Sequence, residues 1–141
     1  MAQPATTIRV CQSVMKSMLE EARRHHPLEC CGLLAGRQGL ITDIYPATNA
    51  LESPVAFEIP PEELFRFFRE MRNRGLEHLG IYHSHPSGDT HPSAQDVERA
   101  YYPDVAYFVV VSHREARTAC AAFSIRDGQV RKMELEILEA G

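Results

Sequence analysis

Apolar residues recur along this chain with two different periods, and the switches between them mark out the elements. From Cys11 the apolar positions are Cys11, Val14, Met15, Met18, Leu19 and Ala22. They stand three and four apart, the repeat of a helix with one buried face. Arg23, Arg24, His25 and His26 crowd its end, where cations suit the helix dipole, and Pro27 stops it. A second stripe, Leu64, Phe67, Phe68 and Met71, follows Pro60-Pro61. Pro61 fits a first helical position, Glu62 and Glu63 suit a first turn, and Arg72, Arg74 and Gly75 close the helix. The remaining apolar runs read as strands: Thr7 to Val10, Cys31 to Ala35, Leu40 to Tyr45 after a turn at Arg37-Gln38-Gly39, Phe57 to Ile59, and Leu79 onward. Val105 to Val111 and Thr118 to Ile125 follow, the second turning at Asp127-Gly128 into Val130 to Leu138. In that last strand Met133, Leu135 and Ile137 alternate with charges, which buries one face. Ala94 to Tyr102 reads as a short helix ended by Pro103.

Mixed helices and mostly sequential strands predict an α+β fold: a single domain over residues 1–141, with a curved, mostly antiparallel sheet and flanking helices. At 141 residues the chain is long enough for a substantial core. The composition, 44% hydrophobic and 24% charged, is that of a soluble globular protein. A net charge of −4 gives no basic footprint for nucleic acid. No stretch resembles a signal peptide or a membrane span. Cys11, Cys30, Cys31 and Cys120 form no C-x-x-C pair, so a cytoplasmic protein with reduced thiols is expected.

The chemistry concentrates between His83 and Asp96. His83 and His85 lie two apart after an apolar run, so on a strand they share a face. Pro86 ends that strand. Ser93 reads as a helix N-cap with Asp96 three residues on, in the first turn, able to look back at the histidine pair. Two imidazoles and a carboxylate are a usual ligand set for a catalytic zinc, with a fourth position left for water. Taken alone, His-x-His or a capping pattern is weak; the combination is far more specific. Ser84, between the histidines, faces the other way and is expected to pack or support. His78 and His113 are expected at the surface, and His25 and His26 at a solvated helix end.

His83-Ser84-His85-Pro86, then six residues, Ser93, two residues and Asp96 reproduces the JAMM signature without a mismatch. The chain therefore resembles the JAMM (MPN-plus) metallopeptidase family over nearly its whole length. The resemblance implies a cytidine-deaminase-like MPN fold and one zinc per chain held by His83, His85 and Asp96. It also implies a catalytic glutamate just before a Cys-Gly strand. Glu29-Cys30-Cys31-Gly32 matches that context, with Glu52 and Glu58 as fallbacks. Glu29 would take the water's proton and pass it to the leaving amine. Ser93 would donate to the oxyanion, or serve as a helix cap, or both through its two functions.

Only Val97 to Asp104 separates Asp96 from the next strand, leaving no room for the insertions of the eukaryotic linkage-specific members. The chain is in this respect similar to the compact bacterial Mec type, which releases an amino acid, cysteine in the type case, from a ubiquitin-like sulfur carrier. A ThiS- or MoaD-like carrier is thus the expected partner, its Gly-Gly tail adding to an exposed strand edge. The competing classes are a non-catalytic MPN binding or scaffold module, which calls for a broken ligand set, and a RadC-like protein, which shares His-x-His-Pro-Ser-Gly. Ser84 and the Glu29-Cys30-Cys31-Gly32 context favour the peptidase.

Overall fold

A computed structural model describes residues 7–111 and 120–139. In chain order the elements are β1 (Thr7–Cys11), α1 (Gln12–His25), β2 (Cys31–Arg37), β3 (Leu40–Ala47), α2 (Pro61–Asn73), β4 (Glu77–His85), α3 (Ala94–Glu98), β5 (Ala106–Val111), β6 (Cys120–Arg126) and β7 (Gln129–Leu138). The mixture of helix and sheet is as expected, but the sheet is not an open curve. It closes into a seven-stranded barrel in the order β1-β3-β2-β4-β5-β6-β7. Hairpins and near neighbours pair antiparallel, in β2–β3, β2–β4, β5–β6 and β6–β7. The closure is parallel: β1 lies between β3 and β7, parallel to both, and β4–β5 is parallel as well. Alternation along a strand reports which face is buried and is blind to whether the two outer strands meet, so the pattern could not reveal the closure.

Both faces of the wall are covered. On one side α1 lies with its buried face against β1, β3, β4, β5 and β7 and its other face exposed. Val14, Met18 and Ala22 of α1 pack there with Val10, Leu34, Tyr82 and Phe108. In the last turn of α1 the buried Glu21 is held by Arg24 and His25. On the other side α2 seats Phe67 and Met71 over Leu33, Ile81, Tyr107 and Val109. Two hairpins, β2–β3 and β6–β7, turn on pairs with positive φ, Gln38 (53°) with Gly39 (75°) and Asp127 (50°) with Gly128 (77°). That backbone matches the twist of paired strands, and residues such as Asp and Gly adopt it at low cost. Gly32 is required by packing. A methyl group there would meet the carbonyl oxygen of Tyr45 and the ring of Tyr82, each at 2.5 Å.

Several expectations need correction. Phe57 to Ile59 is not a strand; it belongs to an irregular segment between β3 and α2, because its polar backbone is claimed by the side chain of Asn49. The helix expected to run to Tyr102 stops at Glu98, where Arg99 and Ala100 close it with short-range bonds to Gln95 and Val97. The face of β7 is only half-buried, and Ile137 is exposed. Thr118 and His113 lie outside the described residues. No disulfide joins Cys11, Cys30, Cys31 and Cys120. Among the described residues no helix is long and apolar enough to cross a membrane. Among the described residues β4 itself is paired with β2 on one side and β5 on the other, so β4 offers no edge of its own for an incoming tail to join.

Candidate metal centre

The site is built where β4 ends. β4 runs antiparallel to β2 and parallel to β5, with His83 opposite Cys31 and Val109, and His85 opposite Val111. β5 pairs with the strand to its last residue, so the alternation that puts His83 and His85 on one face persists to Pro86. Their Nε2 atoms are 3.1 Å apart. Asp96, from α3, brings Oδ2 to 3.0 Å from each of them. A tetrahedral zinc with bonds of about 2.0–2.1 Å sets its ligand atoms about 3.3 Å apart, close to this triangle. His83, His85 and Asp96 are the cluster of metal-type ligands among the described residues.

The surroundings orient each donor. His85 Nδ1–H donates to the carbonyl of Asp89 at 2.8 Å. A carbonyl can only accept, so in the neutral ring the lone pair is on Nε2, facing the cluster. The His83 ring stacks on Phe57, centroids 4.7 Å apart and planes 19° from parallel. His83 is 2% exposed, and burial pushes its pKa down, toward the neutral form that ligates metal. For the less buried His85 desolvation also lowers the pKa, but the Asp96 carboxylate, the Asp89 carbonyl and the Glu29 charge together outweigh it and the net direction is up. Burial alone would raise Asp96; the two imidazoles beside it, with the Ser93 backbone N–H, overcome this and hold the carboxyl well below the usual range. Oδ2 of Asp96 also accepts the Ser93 N–H at 2.8 Å, while Ser93 Oγ accepts the Asp96 N–H at 3.1 Å. This reciprocal capping box pins the carboxylate on a helix of only five residues. The cap uses a lone pair of Ser93 Oγ and leaves its hydrogen available on an exposed side chain.

Glu29 lies just before β2. Continuing the β2–β4 register from Cys31 and His83 sets it opposite His85. The alignment is held by Ser84, whose N–H donates to the Cys30 carbonyl at 3.0 Å and whose Oγ accepts the Cys30 N–H at 2.8 Å. Ser84 is fully buried and points away from the ligand face. The Glu29 side chain is 4% exposed, and its Oε1 is buried without a hydrogen-bond partner. Desolvation pushes its pKa up to about 7; His85 pulls it down and Asp96 pushes it up. Glu52 and Glu58, the fallbacks, are both exposed.

Two contributors were not legible in the sequence. Phe57 forms the wall against His83. Asn49 fixes the segment that carries Phe57: its Nδ2 donates to the carbonyls of Glu29 (3.1 Å) and Ala56 (3.0 Å), and its Oδ1 accepts from Leu51 and Glu58. The available signal was an Asn directly after a strand and before an aperiodic stretch, since Asn readily bonds nearby backbone. His78 is not at the surface as expected. It is half-buried between Phe68 and Tyr102, and desolvation pushes its pKa down to about 4. Asp89 caps His91 N and orients His85 through its carbonyl, and His91 sits edge-on to Phe123.

Beside the triad is a recess walled by Phe57, Pro92, Gln95, Arg99 and Tyr107. It continues into an apolar groove between Ile59, Leu64, Tyr101 and Tyr102. A buried carboxylate of raised pKa, a convergent donor set and an adjoining apolar groove can together activate water against a bound acyl group.

Residues 11–126 match the family of prokaryotic homologs of the JAB domain. The chain is 33% identical over 128 residues to the CysO-cysteine peptidase of Mycobacterium tuberculosis, covering 89% of this chain and 88% of that one. It is 37% identical over 100 residues to the desampylase of Haloferax volcanii, covering 69% and 72% respectively. Among solved structures, protein DSY2949 of Desulfitobacterium hafniense superposes with a TM-score of 0.85 at 32% identity, covering 94% of this chain and 93% of the other.

Proposed function

Since this chain belongs to the family of prokaryotic JAB-domain homologs, we propose that it is a zinc peptidase that hydrolyses the amide joining the C-terminal tail of a ubiquitin-like or sulfur-carrier protein to its adduct. The observation that carries this reading is the convergence of His83 Nε2, His85 Nε2 and Asp96 Oδ2 to within 3.1 Å of one another, next to a buried Glu29 whose Oε1 has no hydrogen-bond partner among the described residues. The relatives named for a CysO-cysteine peptidase and a desampylase support the substrate class.

His83, His85 and Asp96 would hold the ion. When bound, zinc supplies Lewis acidity and lowers the pKa of water to about 7. Glu29 takes the proton of the attacking water on its carboxylate as the oxygen adds to the scissile carbonyl. It then returns that proton to the departing nitrogen as the C–N bond breaks, leaving a carboxylate on the carrier and an amine on the adduct. Ser93 O–H donates to the carbonyl oxygen as negative charge grows there. Phe57 and the apolar groove exclude water from one side and cradle the extended tail, which lies across the barrel's rim.

The test uses purified protein and a ThiS- or MoaD-like carrier bearing one extra C-terminal residue, followed by mass spectrometry. Trimming that is abolished by EDTA and restored by zinc is expected, with one zinc per chain in the wild type and none in His85→Ala. Stoichiometric zinc in that variant would remove His85 from the ligand set. Carrier adducts left intact while ordinary short peptides are cut would overturn the substrate class and leave the peptidase.

A further inference from the structure

Arg99 is the cation on the wall shared by the metal recess and the apolar groove; Phe57 and Tyr107 are the other residues common to both. It follows Asp96 by three residues, at the C-cap of α3, so one helical turn carries a metal ligand and a guanidinium on the same face. Among the described residues its guanidinium makes no ion pair or hydrogen bond, whereas Arg74 and Arg126 are engaged with Asp43 and Asp104. The other charged side chains of this region, Glu29, Asp96 and the groove's Glu58, are acidic. An anionic substrate group approaching the scissile bond is therefore repelled by everything except the metal and Arg99.

The reaction proposed above identifies that anion. A Gly-Gly tail carries no charge near the bond to be cut. An amino acid linked through its α-nitrogen does, because its α-carboxylate is two bonds from the nitrogen that leaves. In an isopeptide the leaving nitrogen is the end of a lysine side chain, and the carboxyl lies far off. We propose that Arg99 binds the free α-carboxylate of the leaving amino acid and so makes the enzyme select carrier–amino acid adducts over isopeptides and amides. This rests on the carrier-adduct reading. The planar fork of arginine suits a carboxylate in a way that a lysine ammonium matches in charge but not in geometry.

Two adducts of one sulfur-carrier protein, ending in cysteine or in cysteinamide, decide the matter. The ratio of their kcat/KM values is measured for the wild type, Arg99→Gln and Arg99→Lys. Wild type is expected to favour the acid by roughly 10- to 100-fold, mostly in KM. Arg99→Gln should bring the ratio close to one, with Arg99→Lys between. Loss of folded or zinc-loaded enzyme scales both substrates together and leaves the ratio unchanged. Calorimetric binding of both adducts to zinc-loaded Glu29→Gln, with and without Arg99→Gln, gives the same comparison without turnover. Equal treatment of acid and amide by the wild type, or a preference that survives Arg99→Gln, overturns the assignment. Failure of the wild type to cut either adduct overturns the peptidase reading instead, and the binding ratio still judges Arg99.

Discussion

Glu29 is asked to do two things that oppose each other. A carboxylate useful as a base has to be charged, yet this one sits in an environment that disfavours charge and pushes its pKa from 4.5 to about 7. Below about pH 4.5 the group is protonated whether the chain is folded or not, and it costs nothing. As the pH rises from there to 7, the unfolded chain gives up its proton first, so stability falls and the full cost is present above about pH 7. Glu29→Gln should therefore stabilise the metal-free protein at pH 8 by about 1–3 kcal/mol, read from denaturant midpoints, and not at pH 4. The same variant should keep its zinc and lose about 10²–10⁴-fold in turnover. A near wild-type rate would take the base role away from Glu29. In the wild type, kcat/KM should fall as the pH drops through the window between 4.5 and about 7, since a bound cation pulls the pKa down from its metal-free position. The histidines and Asp96 could be read from the sequence because a strand end and a helix cap are local structures, each set within a few residues. The burial of Glu29 could not. It depends on Ser84 and Asn49, far along the chain, which set the backbone on either side of it.

Two short elements carry the centre, and each is held by side chains more than by length. Helix α3 has five residues, too few to be stable on propensity alone. Its capping box is what aims Asp96. Ser93→Ala should weaken the helix start by about 1 kcal/mol and reduce zinc affinity in competition with a chelator. If Ser93 also donates to the oxyanion, turnover of the fully zinc-loaded variant falls as well; a wild-type rate at saturating zinc would confine Ser93 to the cap. The irregular segment between β3 and α2 depends in the same way on Asn49. Asn49→Ala leaves the Glu29 and Ala56 carbonyls without their donor, so turnover should drop by more than zinc content does. Equal losses of the two would make Asn49 a general structural residue. The run Phe57-Glu58-Ile59 imitates a strand in its alternation, but its backbone is engaged locally: Asn49 Oδ1 accepts the Glu58 N–H and the Ala50 N–H donates to the Glu58 carbonyl. The Ala94 to Tyr102 stretch reads as a longer helix because it runs from the Ser93 cap to the stop at Pro103. In the structure Tyr102 instead turns to pack against Phe68 and His78, and its backbone engages the Tyr107 hydroxyl.

At the scale of the molecule, the strands were legible and their closure was not, since β1 meets β7 through contacts between residues as far apart as Thr7 and Glu134, 127 positions along the chain. That distance has a kinetic meaning. Joining distant segments costs loop-closure entropy before any contact rewards it, and folds dominated by such contacts are slow. The nearer β2, β3, β4 and β5 pairings, which assemble the centre, should be in place in the rate-limiting state, with the β1–β7 seam added afterwards. Ile8→Ala, at a buried seam position paired with Leu135, should cost about 2–5 kcal/mol. In stopped-flow experiments that loss should appear as faster unfolding with little change in refolding; slowed refolding would put the seam in the nucleus. During synthesis the consequence is one of timing. The ribosome delivers Glu29, both histidines, Asp96 and β5 well before β7. A nascent chain can thus assemble the ligand set while the outer side of β1 is still unpaired, and until the last strand emerges that edge is open to other chains.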